Sequence, residues 1–259
     1  MSTIFNRRQF LPGLGAAAAT PLINAMRPLQ AAEPPATPSS QARGKIRVVV
    51  TGGHPGDPEY GCGGAIALYT DRGYDVALLY LNRGDPAETA ARPARDLRVK
   101  EAEKACAILK ARPVFANQID GHAIVDDEHY ARFRRLLEAE NPDAVFTHWP
   151  IDNHADHRAV SMLVYDAWLH MKRKFALYYY EVSNGEDTVQ FAPTHYVDIS
   201  QTEPRKRLAC FAHASQAPDR FYELQTAITR MRGIESGRPH AEAYIRHIQS
   251  PDFALSPAG

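Results

Sequence analysis

"KIRVVVTGGHPGDPEYGCGG" (45–64) is the stretch from which the rest of the chain can be read. Its apolar core, Val48 to Val50, does not alternate with polar residues, which is the pattern of a short strand covered on both faces, as in a parallel sheet. The run stops at Thr51, Gly52 and Gly53. A proline-containing turn follows, with His54 and, three residues on, Asp57. In open α/β sheets, ligands collect just past the carboxyl ends of the strands, so this histidine and aspartate stand where a metal or phosphate site belongs.

The same alternation continues outward. Strands are expected at 75–81, 113–116, 143–148 and 174–182, and helices at 64–73, 95–111, 127–140 and 154–172. A further strand near 193–199 and helices around 201–214 and 218–235 complete the pattern. Short strands alternating with helices imply a Rossmann-like α/β fold: three layers, α/β/α, with a mostly parallel sheet. The 259 residues suit one such domain. Lys plus Arg number 30 and Asp plus Glu number 30, so no broad polyanion-binding surface is implied and a nucleic-acid partner is not expected.

The amino-terminal residues differ in kind. Arg7 and Arg8 precede Gln-Phe-Leu and an Ala-rich apolar segment, which reads as a twin-arginine export signal over 1–32. Residues 33–44, rich in Ala, Pro and Ser, read as a linker, and 45–259 as the folded domain. The destination is then outside the cytoplasm, periplasmic or extracellular. No later run approaches the ~20 apolar residues of a membrane span. Cys62, Cys106 and Cys210 are odd in number and lack metal-type spacing, so buried free thiols are expected.

A second polar cluster, "HWPIDNHADH" (148–157), follows the expected strand at 143–148. His154 and His157 lie three apart at a helix start, on one face. Together with His54 and Asp57 they supply imidazoles and a carboxylate, a set that suits Zn²⁺ or a similar divalent ion and leaves positions open for water and substrate.

"GGHPGDPEYGCGG" followed by "HADHRA" resembles the PIG-L/LmbE-like family of metal-dependent N-acetylglucosaminyl deacetylases, whose signature is H-P-D-D-E near the first strand and H-x-D-H after the fourth. The resemblance runs from about residue 45 to about 215 and includes "LLYLNRGD" and "KRLACFAHASQ". It implies an LmbE-like fold and hydrolysis of the N-acetyl group of a sugar, of the N-acetylglucosamine type, in a carbohydrate or glycoconjugate. It implies that His54, Asp57 and His157 hold the metal, that His154 polarises the carbonyl or protonates the leaving amine, and that Asp156 orients it. Arg83 would sit near the sugar, and His213 would reach the site from the carboxyl-terminal helix. Such chemistry is physically coherent. A three-ligand Zn²⁺ polarises an acyl oxygen and activates water, while a neighbouring histidine serves as acid.

Gly56 departs from the signature, because the family's presumed general base occupies that position. Three accounts stay open. Another carboxylate takes the proton, with Asp152 and Asp156 ranked above Glu59; the metal suffices; or the chain binds metal and sugar without turnover. An amide other than an N-acetylated sugar is the alternative substrate. The glycines do not match a nucleotide-binding fingerprint, and close backbone approach around the turn explains them better. His148 reads as structural or as backing the residues that would hold the metal, and one ring of Tyr178, Tyr179 and Tyr180 is expected to line the sugar site.

Overall fold

Val48 and Val50 of β1 (Arg47–Gly52) enter one apolar core while Val49 enters another, which is why this strand is apolar throughout. The computed structural model describes residues 44–86, 92–183 and 185–256, with the side chains of 85, 86 and 92–96 excepted. The expected export signal, and the expected linker up to residue 43, lie outside the described residues. In chain order β1 is followed by α1 (Asp57–Asp71), β2 (Asp75–Pro86), α2 (Arg92–Leu109), β3 (Arg112–Asp120), α3 (Asp127–Glu140) and β4 (Ala144–His148). Then come α4 (Ala155–His170), β5 (Ala176–Tyr180), β6 (His195–Asp198), α5 (Glu203–Phe211), α6 (Pro218–Ser236) and β7 (Ala241–Arg246).

The seven strands form one sheet in the order β3-β2-β1-β4-β5-β7-β6. β1 to β5 are parallel neighbours, and β7 runs antiparallel to both β5 and β6. Residues from α1, α2 and α5 share the core of Val48 and Val50, whereas residues from α3 and α4 share that of Val49, giving the three-layer α/β/α arrangement. Strand order reverses between β1 and β4, which pair directly. The two polar clusters leave the carboxyl ends of these neighbours, so topology alone brings them together. Among the described residues no helix is long and apolar enough to cross a membrane.

Three elements differ from the sequence reading. α1 begins at Asp57, not 64, and so includes Gly61, Gly63 and Gly64. Glycine costs about 1 kcal/mol relative to Ala in a helix interior, but packing demands it here: a Cβ at Gly61 would lie 2.2 Å from the Tyr180 ring, and one at Gly64 would lie 2.5 Å from Ile199. β7 was not expected at all, because its Glu242 looks like a surface residue and is in fact buried. Tyr178 and Tyr180 fill one core and Tyr179 the other, and none of the three is among the residues lining the cleft described below. The three cysteines are free and buried, as expected.

Glu242 ties α1 to the carboxyl-terminal half. Its carboxylate accepts hydrogen bonds from Gly64 N (2.8 Å), Ala65 N (2.8 Å), Lys206 Nζ (2.7 Å) and Tyr244 Oη (3.0 Å). Removing it would strand a buried ammonium and two backbone donors. Glu242→Ala is therefore expected to lower unfolding free energy by about 3–5 kcal/mol, read from urea denaturation. A loss below about 1 kcal/mol would mean that water reaches Lys206.

Candidate active site

The turn after β1 is closed by its own side chain. Asp57 Oδ2 accepts from His54 N at 2.8 Å, and Asp57 N donates to His54 O at 3.2 Å. The same oxygen lies 3.2 Å from His54 Nδ1, 3.2 Å from His157 Nε2 and 3.2 Å from His148 Nε2. The turn after β1 supplies the first histidine, the first turn of α4 the second and the end of β4 the third. On its far side, His157 Nδ1 lies 3.1 Å from Asp152 Oδ1, and Asp152 Oδ2 accepts from Thr188 Oγ1 at 2.9 Å. A carboxylate behind a ligating imidazole fixes its tautomer and raises its basicity. The donors of His54, Asp57 and His157, so backed, fit a divalent ion chemically. Groupings that could hold one include Asp57–His148–His157, His54–His154–His157 and His54–Asp120–Asp156.

Without an ion the cluster is held together by charge. Burial works against a charged His54, but Asp57 and hydrogen bonds to Asp120 and Asp156 keep its pKa well above the usual value. Burial likewise opposes a charged His157, yet Asp57 and Asp152 raise it to about 9. Asp57, despite burial, is held well below the carboxylate range by those two histidines. His148 is pushed down to about 4 by burial and by His157, and His154 is lowered by burial and by His54 and His157. At neutral pH two imidazoles are cationic and two are neutral.

His154 caps α4: its Nδ1 accepts from Asp156 N at 3.2 Å, which leaves the proton of the neutral ring on Nε2. Its ring centroid lies 4.5 Å from that of His54 and 4.7 Å from that of His157. The Asp156 carboxylate, expected to orient His154, turns elsewhere. Its Oδ2 accepts from Asn82 Nδ2 (3.0 Å) and Gly121 N (2.8 Å) and lies 3.2 Å from His54 Nε2. Orientation of His154 thus comes from the backbone of Asp156.

The remaining candidates separate clearly. Asp152 accepts from His154 N at 2.8 Å besides its contacts with His157 and Thr188, so both its oxygens are engaged. Glu59 is fully buried, accepting from Tyr80 Oη (2.8 Å) and Gly56 N (3.2 Å), with His213 Nε2 at 3.0 Å. His213 does line the cleft. Arg83 does not: its guanidinium lies 5.7 Å from the centre of the Phe115 ring. Arg98, not singled out from the sequence, stands in the cleft instead and donates to Pro55 O at 2.9 Å.

The cleft has a volume of about 370 Å³. His54, Asp57, His154 and His157 line it centrally in the sheet order, Arg98 and Asp120 come from the β3 side, and Val182, Ser183 and Asp187 from the loop after β5. Asp120, at the end of β3, and Asp187, in the loop after β5, were missed because neither stands at a recognisable spacing from another candidate ligand. Gly56 is exposed to this space with φ +116°, and a Cβ there would meet nothing nearer than 3.9 Å. The glycine is explained by its backbone and not by crowding.

Known proteins resemble this chain in sequence and in fold. Residues 49–168 match the family model described as PIG-L, GlcNAc-PI de-N-acetylase. The diacetylchitobiose deacetylase of Thermococcus kodakarensis is 27% identical over 212 residues, covering 76% of this chain and 79% of that protein. The fold is shared with the N,N'-diacetylchitobiose deacetylase from Pyrococcus horikoshii (21% identity, TM-score 0.67, 77% of this chain and 83% of that one). It is shared equally with the 4-carboxy-2-hydroxymuconate hydratase from Pseudomonas putida (22% identity, TM-score 0.70, 81% and 99%).

Two outcomes follow from the geometry. Since His54 and His157 are held protonated near Asp57 and must lose those protons to ligate, Zn²⁺ uptake at pH 7 should release about two protons, measured by calorimetry in buffers of differing ionisation enthalpy. The sign is fixed: with both pKa values raised, release is greatest at neutral pH and falls as pH rises through about 9. Gly56→Ala should lower stability by about 1–3 kcal/mol through backbone strain alone, seen in the urea midpoint. An unchanged midpoint would mean that the turn relaxes freely.

Proposed function

The chain belongs to the PIG-L/LmbE-like family, and on that premise we propose that it is an exported, Zn²⁺-dependent hydrolase that removes the acetyl group from an N-acetylated sugar in a glycan or glycoconjugate. The observation that carries the proposal is the convergence of His54, Asp57 and His157 about one carboxylate oxygen, with His154 beside them, in a cleft large enough for a sugar unit. A divalent ion held by those three residues supplies Lewis acidity toward the amide carbonyl and the attacking water. The protein supplies the rest. Burial and the neighbouring His54 and His157 lower the His154 pKa, and with its Nδ1 accepting from Asp156 N the ring presents Nε2–H, which stabilises negative charge developing on the carbonyl oxygen. Arg98 and Asp120 offer a donor and an acceptor on one wall for sugar hydroxyls. Export rests on the Arg7-Arg8 segment.

A second reading, a carbohydrate-binding protein without turnover, is favoured by the absence of any side chain at Gly56. The two separate on acetate release by the Zn²⁺-loaded chain over N-acetylated mono- and oligosaccharides. His54→Ala should abolish release, whereas His154→Ala should keep the metal and lower kcat about 10²- to 10⁴-fold. Binding of the saccharides with no release from any of them would sink the enzyme reading.

A further inference from the structure

A side chain that takes a proton from the attacking water speeds amide hydrolysis, and Gly56 offers none. Among the described residues three carboxylates line the cleft: Asp57, Asp120 and Asp187. Asp57 is taken by the histidines. Asp120 Oδ1 lies 3.1 Å from His54 Nε2, and Asp120 Oδ2 lies 3.8 Å from Arg98 Nη1, so it is engaged with two cations. The carboxylate of Asp187 is different, since among the described residues no donor hydrogen-bonds to it, and it is only partly buried, within reach of a substrate.

The backbone around Asp187 is nonetheless fixed. Its N–H donates to Ser183 O at 3.0 Å, and its carbonyl accepts from Asn153 N at 2.8 Å. The next residue, Thr188, bridges to Asp152 and binds the Asp152 carboxylate, which in turn holds His157. One short path of hydrogen bonds therefore ties the position of Asp187 to that of His157. Fixed backbone with an unengaged carboxylate is the arrangement a proton acceptor requires.

We propose that Asp187 is the general base of the hydrolysis, acting from the loop after β5; this rests on the deacetylase reading of the same cleft. A carboxylate oxygen of Asp187 takes one proton from water as the water oxygen bonds to the amide carbon. His154 Nε2–H meanwhile hydrogen-bonds to the carbonyl oxygen, where negative charge develops. The protonated Asp187 then passes that same proton to the nitrogen, the C–N bond breaks, and acetic acid and the free amine leave with Asp187 ionised and His154 neutral, as both began. The electrostatic setting agrees: burial raises the Asp187 pKa, with Asp152 and Asp57 adding to burial against His157, whereas Asp57, Asp120, Asp152 and Asp156 are all lowered. A base of raised pKa binds the transferred proton more firmly.

The test is Asp187→Asn in the full domain, with metal content, chelator competition and the visible spectrum of the Co²⁺-loaded chain measured beside turnover. Expected are unchanged metal stoichiometry and affinity, kcat lower by about 10²- to 10⁴-fold and KM within about threefold. Partial recovery of Asp187→Ala by added formate, and an altered Co²⁺ spectrum in Asp187→Asn, are expected too. Retention of kcat within about threefold of wild type, or a loss accompanied by loss of metal, would overturn the assignment. If the wild-type chain itself releases no acetate, the deacetylase reading fails separately, and Co²⁺ spectra that are identical in wild type and Asp187→Asn overturn the contact of Asp187 with the attacking water.

Discussion

A single carboxylate oxygen, Asp57 Oδ2, organises this protein. Three imidazole nitrogens from three segments lie 3.2 Å from it, and the backbone N–H of His54 also donates to it. Such a concentration of charge in a partly dry cleft is stable only if its members are fixed by structure that does not depend on them. The sheet provides this. Because β1 and β4 are hydrogen-bonded neighbours at the point where strand order reverses, their carboxyl ends open toward the same space, and the clusters that follow need only short turns to meet.

Each member of the cluster is then held from behind. His157 is braced by Asp152, and Asp152 by Thr188. His54 faces Asp156 and Asp120, and Asp156 is pinned by Asn82 and the Gly121 N–H. Glu59 plays a parallel part on the opposite side of the turn, joining Gly56, Tyr80 and His213 in a buried network. Loops from β2, β3, β5 and α5 thus all contribute to rigidity at the end of β1. Satisfied buried networks of this kind specify one arrangement more than they add stability.

The glycines of α1 serve the same end by a different route. They let the helix approach Tyr180 and Ile199 more closely than any side chain would allow, and the helix start is thereby set directly after the turn at 54–56. Gly56 has another reason to be glycine, its positive φ, and leaves open space in the cleft floor. No side chain stands there to accept a proton, whereas the loop after β5 brings the Asp187 carboxylate to the cleft, where no donor among the described residues hydrogen-bonds to it.

Much of this was legible in the sequence. The apolar run 48–50, the regular strand–helix alternation and the two histidine clusters were enough to indicate a parallel α/β sheet with both clusters at its carboxyl edge, because strand burial and helix periodicity are local patterns. Tertiary structure alone decided the rest. It started α1 at Asp57 through a glycine-rich stretch and made a strand of 241–246 around a buried Glu242. It also turned the Asp156 carboxylate to His54, moved Arg98 into the cleft in place of Arg83, and brought Asp187 into it. In each case the deciding contact joins residues far apart in the chain, and a side chain's spacing in sequence carries no record of which distant donor or acceptor will satisfy it.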